Sequence, residues 1–275
     1  MKSRRWKWLS FLLKTQIESE RMIKMRIMSI NLLCAGKDSR WWENRAEKVA
    51  KIVRKINPDS FGVQEAHYDW MCALKKLLPE YVSVGVGRDD GENKGEFSAV
   101  FFKRYKFEAV QDETFWISET PEVPSRSWNT ACIRVCTWVK LVNKETKEEF
   151  IHLNTHLDHV SELARMKGVE LIKKKIADFG SIPVVCTGDY NYEQGCDCYV
   201  EMVNGELGDA RMLTDNSDSS FTFHGFIPEE IQSIIDFVFV KKSAFEVENF
   251  KVVAETVDGD FYSDHYAVYA DIKIV

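Results

Sequence analysis

The stretch YSDHYAVYA, residues 262–270, sets a carboxylate and an imidazole, Asp264 and His265, at the entrance to an alternating apolar run. Other strand-like runs carry polar side chains at one end in the same way. MSIN ends at Asn31, FGVQE at Glu65, IHLNTH at His156 and VVCTGDYN at Asp189 and Asn191. SIIDFVFV embeds Asp236 among apolar neighbours. Taken singly, most have a bland reading: Asn31 as a turn residue, Glu65 as a helix cap, Asp189 and Asn191 as a loop, His156 as a satisfied core histidine. Asp236 resists one, because a carboxylate within IIDFVF is costly to bury without a partner.

As a set these residues describe a chemistry. Asn31, Glu65 and Asp264 offer oxygens to a hard cation such as Mg²⁺, which keeps waters and binds phosphate oxygens. Asp189, with an amide two residues on, is suited to hold and deprotonate a water. His156 and His265 can grip a phosphate or stabilise its developing charge, with Asp236 fixing one ring's tautomer. That is the equipment of metal-assisted phosphoester hydrolysis.

The elements that must position them alternate in type. RIMSINLL reads as a first strand, followed by a helix over WWENRAEKVAKIVRKINPD with Trp42, Ala46, Val49, Val53 and Ile56 on one face and Lys/Arg opposite. After SFGVQE, a second amphipathic helix, YDWMCALKKLLPE, closes at a proline. A block of strands follows: YVSVGVG, FSAVFF, FEAVQDETFWI, CIRVCTWVKLV and EFIHLNTHL. The helix VSELARMKGVELIKKKIADF carries Leu163, Val169, Ile172, Ile176 and Phe179, and the strands IPVVCTGD, SIIDFVFV, FEVENFKVVAE and YAVYADIKIV complete the chain. This order suits a mixed, layered α/β domain with two sheets packed face to face and helices outside. No linker or repeat divides it, so one domain is expected over residues 25–275, with residues 1–24 an extension outside the fold.

The 275 residues are 45% hydrophobic and 29% charged, an ordinary globular balance. A net charge of −6 argues against a surface coated for nonspecific polynucleotide binding, although a local groove for nucleic acid stays open. The seven cysteines show no zinc spacing and read as reduced, mostly buried thiols of a cytoplasmic protein. The N-terminal MKSRRWKWLSFLLK is basic and contains tryptophan, but its apolar core is too short to span a bilayer and lacks a cleavage site. Contact of residues 1–24 with a membrane surface is the weaker reading of that segment.

In chain order, SIN, QE, NTHLDH, GDYN, IDFVF and SDH resemble the signature of the endonuclease/exonuclease/phosphatase superfamily, from about Met25 to Val275. The resemblance implies its DNase I-like fold, a four-layered α/β sandwich. It implies Mg²⁺, with Mn²⁺ as a substitute, held principally by Glu65 with support from Asn31 and Asp264. Asp189 would activate or orient the attacking water and Asn191 position the phosphate. His265, oriented by Asp236, would contact the scissile phosphate, and His156 would be the second phosphate-facing histidine. Arg134 in IRVCTWVKL looks like the arginine that deoxyribonuclease-type members place before a similar strand. Some members have an acidic residue two positions after the first Asn; Leu33 stands there, which favours one-metal chemistry.

The substrate is less legible. WWENR, VGVGRDDGENKGEFSAVFF, FWISETPEVP and NTHLDHV resemble compact bacterial members. The expected activity is hydrolysis of a phosphodiester or phosphomonoester in a nucleotide, a nucleic acid or a phosphorylated small molecule. Two alternatives stand beside it: a lipid phosphodiesterase at a membrane surface, and a silent phosphate-binding module, against which the intact site argues. Trp116 and Trp128 read either as stacking platforms for a base or sugar or as sheet-edge packing. His159, Arg126 and His224 either line a pocket or decorate loops. GRDDGENKGE reads as a solvated, mobile hairpin loop at the rim of the site.

Overall fold

The computed structural model describes residues 24–34 and 41–275, so the expected N-terminal extension lies outside the described residues except for Lys24. Lys24 opens strand β1 (Lys24–Asn31), one residue ahead of the expected domain start and two ahead of the run RIMSINLL. Helix α1 (Trp42–Ile56) buries Ala46, Val49, Val53 and Ile56 as its periodicity predicts, and stops where Asn57 turns left-handed at φ 54°. Then come β2 (Ser60–Gln64), α2 (Tyr68–Leu77), β3 (Tyr81–Val84), β4 (Val100–Lys103), β5 (Phe107–Trp116), β6 (Val135–Asn143) and β7 (Glu149–His156). Helix α3 (Glu162–Asp178) is followed by β8 (Val184–Asp189), α4 (Asp197–Val203), β9 (Leu207–Asp209), β10 (Asp236–Lys241), β11 (Phe245–Val252) and β12 (Val268–Ile274).

Two features differ from the sequence reading. Helix α4 and strand β9 were not anticipated; at seven and three residues they are too short for a periodic signal. Leu163, expected on the buried face of α3, is exposed, because Ser161 caps the helix by accepting the Ala164 N–H and leaves Leu163 in a first turn that faces water.

The strands form two mixed six-stranded sheets, ordered β11-β12-β1-β2-β4-β3 and β5-β6-β7-β8-β10-β9. The apolar faces of α1 and α2 share one core with the first sheet, through Val49, Val53, Trp70 and Leu74. Val169 and Ile172 of α3 and Cys198 and Met202 of α4 share another with the second sheet. The result is a four-layered α/β sandwich, helix–sheet–sheet–helix, as expected.

Between the sheets runs a polar seam. Gln64 Nε2 donates to Ser29 Oγ at 3.1 Å and, across the gap, to Asn154 Oδ1 at 2.7 Å. Asn154 Nδ2 donates back to the carbonyls of Val63 and Ala99 at 2.8 and 3.0 Å. The His152 ring bridges Ser60 Oγ at 2.7 Å and Thr187 Oγ1 at 2.9 Å. Burial lowers its pKa to about 3, so this ring is a neutral cross-link. Gly62 is what lets β2 approach so closely: a Cβ there would lie 2.2 Å from Asn154 Oδ1 and 2.3 Å from Thr187 Oγ1.

Substituting Gly62→Ala is therefore expected to destabilise the domain by about 1–3 kcal/mol through overpacking, seen as a lower urea midpoint at constant m-value. An unchanged midpoint would show that the seam can part at little cost.

Candidate active site

Parallel pairing sets the ends of β1 and β2 at one edge of the first sheet, with Asn31 opposite Gln64 and Glu65 next in the chain. In the second sheet β7 and β8 are also parallel, so His156 stands opposite Asp189. Antiparallel β10 begins where β8 ends and pairs Asp236 with Asp189. Strand β12, antiparallel to β1, is entered through Asp264 and His265 at that same edge. Six strand ends thus meet at one mouth. Three of the turns leaving them hold non-glycine residues in the left-handed region: Leu33 at φ 54°, Glu65 at 58° and Asn191 at 50°. Such strain, of order 1–3 kcal/mol each, clusters at sites that need a fixed geometry.

The side chains form a continuous network. Asn31 Nδ2 donates to Glu65 Oε1 at 3.0 Å and Asp189 Oδ2 at 2.9 Å, joining the sheets. Glu65 Oε2 accepts the Cys34 N–H at 3.0 Å. Asp189 Oδ1 takes the Asn191 N–H at 2.9 Å, while Asn191 Nδ2 donates to His156 Nε2 at 2.9 Å. His265 Nδ1 donates to Asp236 Oδ2 at 2.9 Å. The Nε2 atoms of His156 and His265 lie 3.5 and 3.7 Å from Asp189 Oδ2. Glu65, Asp189, Asn191, Asp264, His156 and His265 line a single cavity of about 350 Å³; Asn31 and Asp236 stand behind them.

Burial and neighbouring charge divide the titratable groups. Burial alone would lower the His265 pKa, but Asp236, by charge and hydrogen bond, and then Asp189 and Asp264 push it up to about 10, so the ring is a cation. His156 goes the other way, depressed by burial and by Arg134, Arg88 and His265, which suits its acceptor role toward Asn191. Burial, helped by the charge of Asp236 and opposed by His265, raises Asp189 to about 7. Glu65 falls below its usual value despite burial, held by the Cys34 N–H, the Asn31 amide and the charges of His265 and Arg134. Asp264 is raised by burial and by the Glu65 charge, against the pull of His265.

Glu65 and Asp264 offer carboxylate oxygens to the same cavity, and the Glu65 charge raises the cost of ionising Asp264, which makes them a fitting donor set for a hard cation. Asn31, expected among the ligands, is buried behind the cavity wall: its amide N–H groups go to Glu65 and Asp189, and its Oδ1 takes the Leu33 N–H at 2.9 Å. Asp189, Asp236 and His265 also bring ligand atoms within 4.8 Å of one another. There His265 Nδ1 is committed to Asp236 Oδ2, which leaves Nε2 as the ring atom facing Asp189.

The remaining sequence candidates sort themselves. Arg134 lines the cavity and meets His159 Nδ1 at 3.0 Å, so His159 belongs to the wall. Trp116 is not a free platform: it is buried at the end of β5 and its indole N–H donates to the Arg88 carbonyl at 2.7 Å. Trp128 packs on the second core. Arg126 braces its own loop through the carbonyls of Thr130 and Ala131. His224 is fully buried between Phe261 and Tyr266, with ring centroids 4.6 and 4.3 Å away, and its N–H holds the Asp264 carbonyl at 3.0 Å. GRDDGENKGE is a hairpin closed by its own backbone bonds rather than a loose loop.

The chain belongs to the Endonuclease/Exonuclease/phosphatase family, whose sequence profile matches residues 28–265. Among solved structures it is similar to a family protein of Bacteroides thetaiotaomicron, 33% identical at a TM-score of 0.88, covering 92% of this chain and 99% of that one. It is similar as well to a mannosyl-6-phosphatase of the same organism, 34% identical at a TM-score of 0.86, over 90% of this chain and 99% of that one. A probable RNA exonuclease of Schizosaccharomyces pombe is 26% identical over 188 residues, 66% of this chain, and the chain spans only 37% of that relative. Members of the family are hydrolases of phosphoester bonds, typically dependent on a divalent metal.

One residue of the site was not foreseen. Arg45 of α1 counted as one of the solvated cations opposite the apolar face, yet it is fully buried. Its guanidinium donates to the carbonyls of Leu32, Leu33 (2.7 Å) and Tyr262 (3.4 Å) and lies over Trp70. It thereby ties together the two segments that present Cys34 and Asp264. Burial lowers its pKa to about 10, against the charges of Asp264, Glu65 and Cys34. Arg45→Met leaves these carbonyls and the acidic pair without their cation, and a loss on the order of 3 kcal/mol is expected in denaturant unfolding. A loss below about 0.5 kcal/mol, the usual range for a surface change, would contradict the bracing role.

Proposed function

We propose that the protein is a divalent-metal-dependent phosphomonoesterase acting on a phosphorylated small molecule, with sugar phosphates the first class to consider. The observation that carries this reading is the convergence of Glu65 and Asp264 with Asp189, Asn191, His156 and His265 in one cavity of about 350 Å³. That volume is at the small end for ligand sites. The net charge of −6 and the commitment of Trp116 to the Arg88 carbonyl favour a compact substrate over a nucleic-acid strand. The likeness to a mannosyl-6-phosphatase over nearly its full length supports the same direction. Among the described residues no helix is long and apolar enough to cross a membrane. A cytoplasmic location remains our expectation, in keeping with the buried thiols Cys136, Cys186 and Cys198.

In this reading Glu65 and Asp264 would hold Mg²⁺, or Mn²⁺ in its place, which would supply positive charge for the phosphate oxygens. Asp189 orients the attacking water in line with the ester bond and takes its proton as the water oxygen bonds to phosphorus. The ester P–O bond breaks and the alcohol leaves with a proton from solvent. The Asn31 amide and the Asn191 N–H fix the Asp189 carboxylate. The cationic His265 ring holds phosphate oxygens, and Asn191, whose amide donates to His156 Nε2 and the Leu157 carbonyl, would turn to join it. Asp236 keeps that ring charged and aimed. His156 and Arg134 complete the anion-facing wall. Asn31 serves by orienting two carboxylates at once.

The test is a hydrolysis panel of p-nitrophenyl phosphate, hexose 6-phosphates and bis-p-nitrophenyl phosphate, each with Mg²⁺, Mn²⁺ or EDTA. Turnover of monoesters that EDTA abolishes is expected, with Asp189→Ala lowering kcat on the order of 100-fold or more. Turnover of the diester alone would replace this reading with a nuclease or lipid phosphodiesterase. Binding of phosphate without turnover in either metal would favour the silent module.

A further inference from the structure

Two side chains of the cavity wall have no task in the chemistry above. Arg88 and Glu96 face each other across the hairpin that begins at Gly87, with Arg88 Nη1 donating to Glu96 Oε2 at 2.6 Å and side chains 14% and 20% exposed. Both line the same cavity as Glu65, Asp189 and Asp264. The hairpin does not need them for closure. Its backbone is joined from the Arg88 N–H to the Glu96 carbonyl at 3.1 Å and from Gly87 and Asp89 to Glu92 and Lys94 at 3.0 Å each. Asp90 Oδ1 takes the N–H groups of Glu92 and Lys94 at 2.8 and 3.0 Å, and the Trp116 indole pins the Arg88 carbonyl from outside. An ion pair largely withdrawn from water pays desolvation and adds little to a loop already held.

What the pair offers is unspent hydrogen-bonding capacity. Of the Arg88 guanidinium only Nη1 donates to a side chain among the described residues; Nε is buried, with Asp89 Oδ1 3.8 Å away, so its outer N–H groups are the ones open to the cavity. Glu96 meets Arg88 through Oε2, which leaves Oε1 without a protein donor among the described residues. A guanidinium beside an open carboxylate oxygen matches a hydroxyl, which accepts from the one and donates to the other. Neighbouring hydroxyls can use both halves of the pair. A second phosphate would be repelled by Glu96. Phe223 and Ile235 add an apolar patch to the same cavity, suited to the C–H face of a sugar ring. Glu65 and Asp264, the carboxylates assigned to the metal, line the same cavity as the pair, and the Glu65 charge reaches Glu96.

We propose that Arg88 and Glu96 form a leaving-group subsite that binds the hydroxyls of a sugar or other polyol phosphate. This rests on the phosphomonoesterase reading and adds to it the feature of the substrate that the enzyme selects. A site built to hydrogen-bond hydroxyls discriminates strongly against analogues that lack them, because its polar groups are then left unpaired.

The experiment compares kcat/KM for a hexose 6-phosphate and for n-hexyl phosphate, a monoester of similar length without hydroxyls. It uses the full chain with Mg²⁺, as wild type, Glu96→Gln and Arg88→Gln. We expect the wild type to prefer the hexose phosphate by at least about tenfold and each variant to lose most of that preference. Equal rates for the two esters in the wild type, or a preference that survives in both variants, would overturn the subsite. A parallel fall for both esters in the variants would also overturn it, by placing the pair in support of the phosphate or metal. Equal wild-type rates overturn the subsite even if a variant does not fold, and Arg88→Lys then carries the assignment of any preference to the pair. Absence of all monoester turnover would instead bring down the phosphomonoesterase reading, a separate and recognisable result.

Discussion

The close approach of the two sheets at Gly62 is the constraint on which the site depends. The residues of the candidate site are divided between the sheets: Asn31, Glu65 and Asp264 stand on one, and His156, Asp189 and Asp236 on the other. Apolar packing alone would fix the spacing of the sheets more firmly than their sliding register, because burial is non-directional. The seam of Gln64, Asn154, His152 and Thr187 supplies direction. With no room for a Cβ at Gly62, β2 settles against the Asn154 amide and Thr187 hydroxyl, and the strand ends above it come into hydrogen-bonding range. The Asn31 contact to both Glu65 and Asp189 is the outermost rung of the same ladder.

Above the seam the structure accepts costs that a purely stabilising design would avoid. Asp189, Asp236 and His265 are buried together, and Asp236 Oδ1 has no hydrogen-bond partner in the network. Left-handed backbone at Leu33, Glu65 and Asn191 adds strain at the turns. Arg45 is buried under the acidic loops, where its charge is useful to them and expensive to desolvate. Each cost fixes a charge or a direction at the mouth of the sandwich. The large apolar cores on the two sheets are what allow them to be carried.

Much of this was legible in the sequence because a polar residue at the end of an apolar run is a local signal. Asn31, Glu65, His156, Asp189, Asp236 and Asp264–His265 were all visible in that way, and the strand ends do meet. The amphipathic pattern of α1 and the alternation of strands and helices likewise gave the layers. What stayed hidden depends on distant partners. Arg45 looked like any cation on a helix's polar face; its burial is decided by Leu32 and by Tyr262, 217 positions away. Asn154 and Thr187 lie in mid-strand, and their meaning appears only once the opposing sheet is known. Arg88 and Glu96 were lost in a charged, glycine-rich stretch, since the hairpin that sets them face to face has no periodicity to read. Trp116 was ambiguous until its indole found the Arg88 carbonyl. The short α4 and β9 are shaped by their neighbours rather than by their own pattern.

Charges of both signs meet in the cavity. Glu65, Asp189 and Asp264 line it with His265 and Arg134, so acidic oxygens for a cation and cationic groups for a phosphate share one cavity. The most direct test of that arrangement is a crystal structure of the protein soaked with Mn²⁺ and orthophosphate, with the metal located by anomalous scattering. We expect a peak bound by Glu65 and Asp264, with phosphate oxygens toward His265 and Asn191. A peak at Asp189, Asp236 and His265 alone, or none near Glu65 at saturating Mn²⁺, would contradict the assignment of the metal and with it the proposed chemistry.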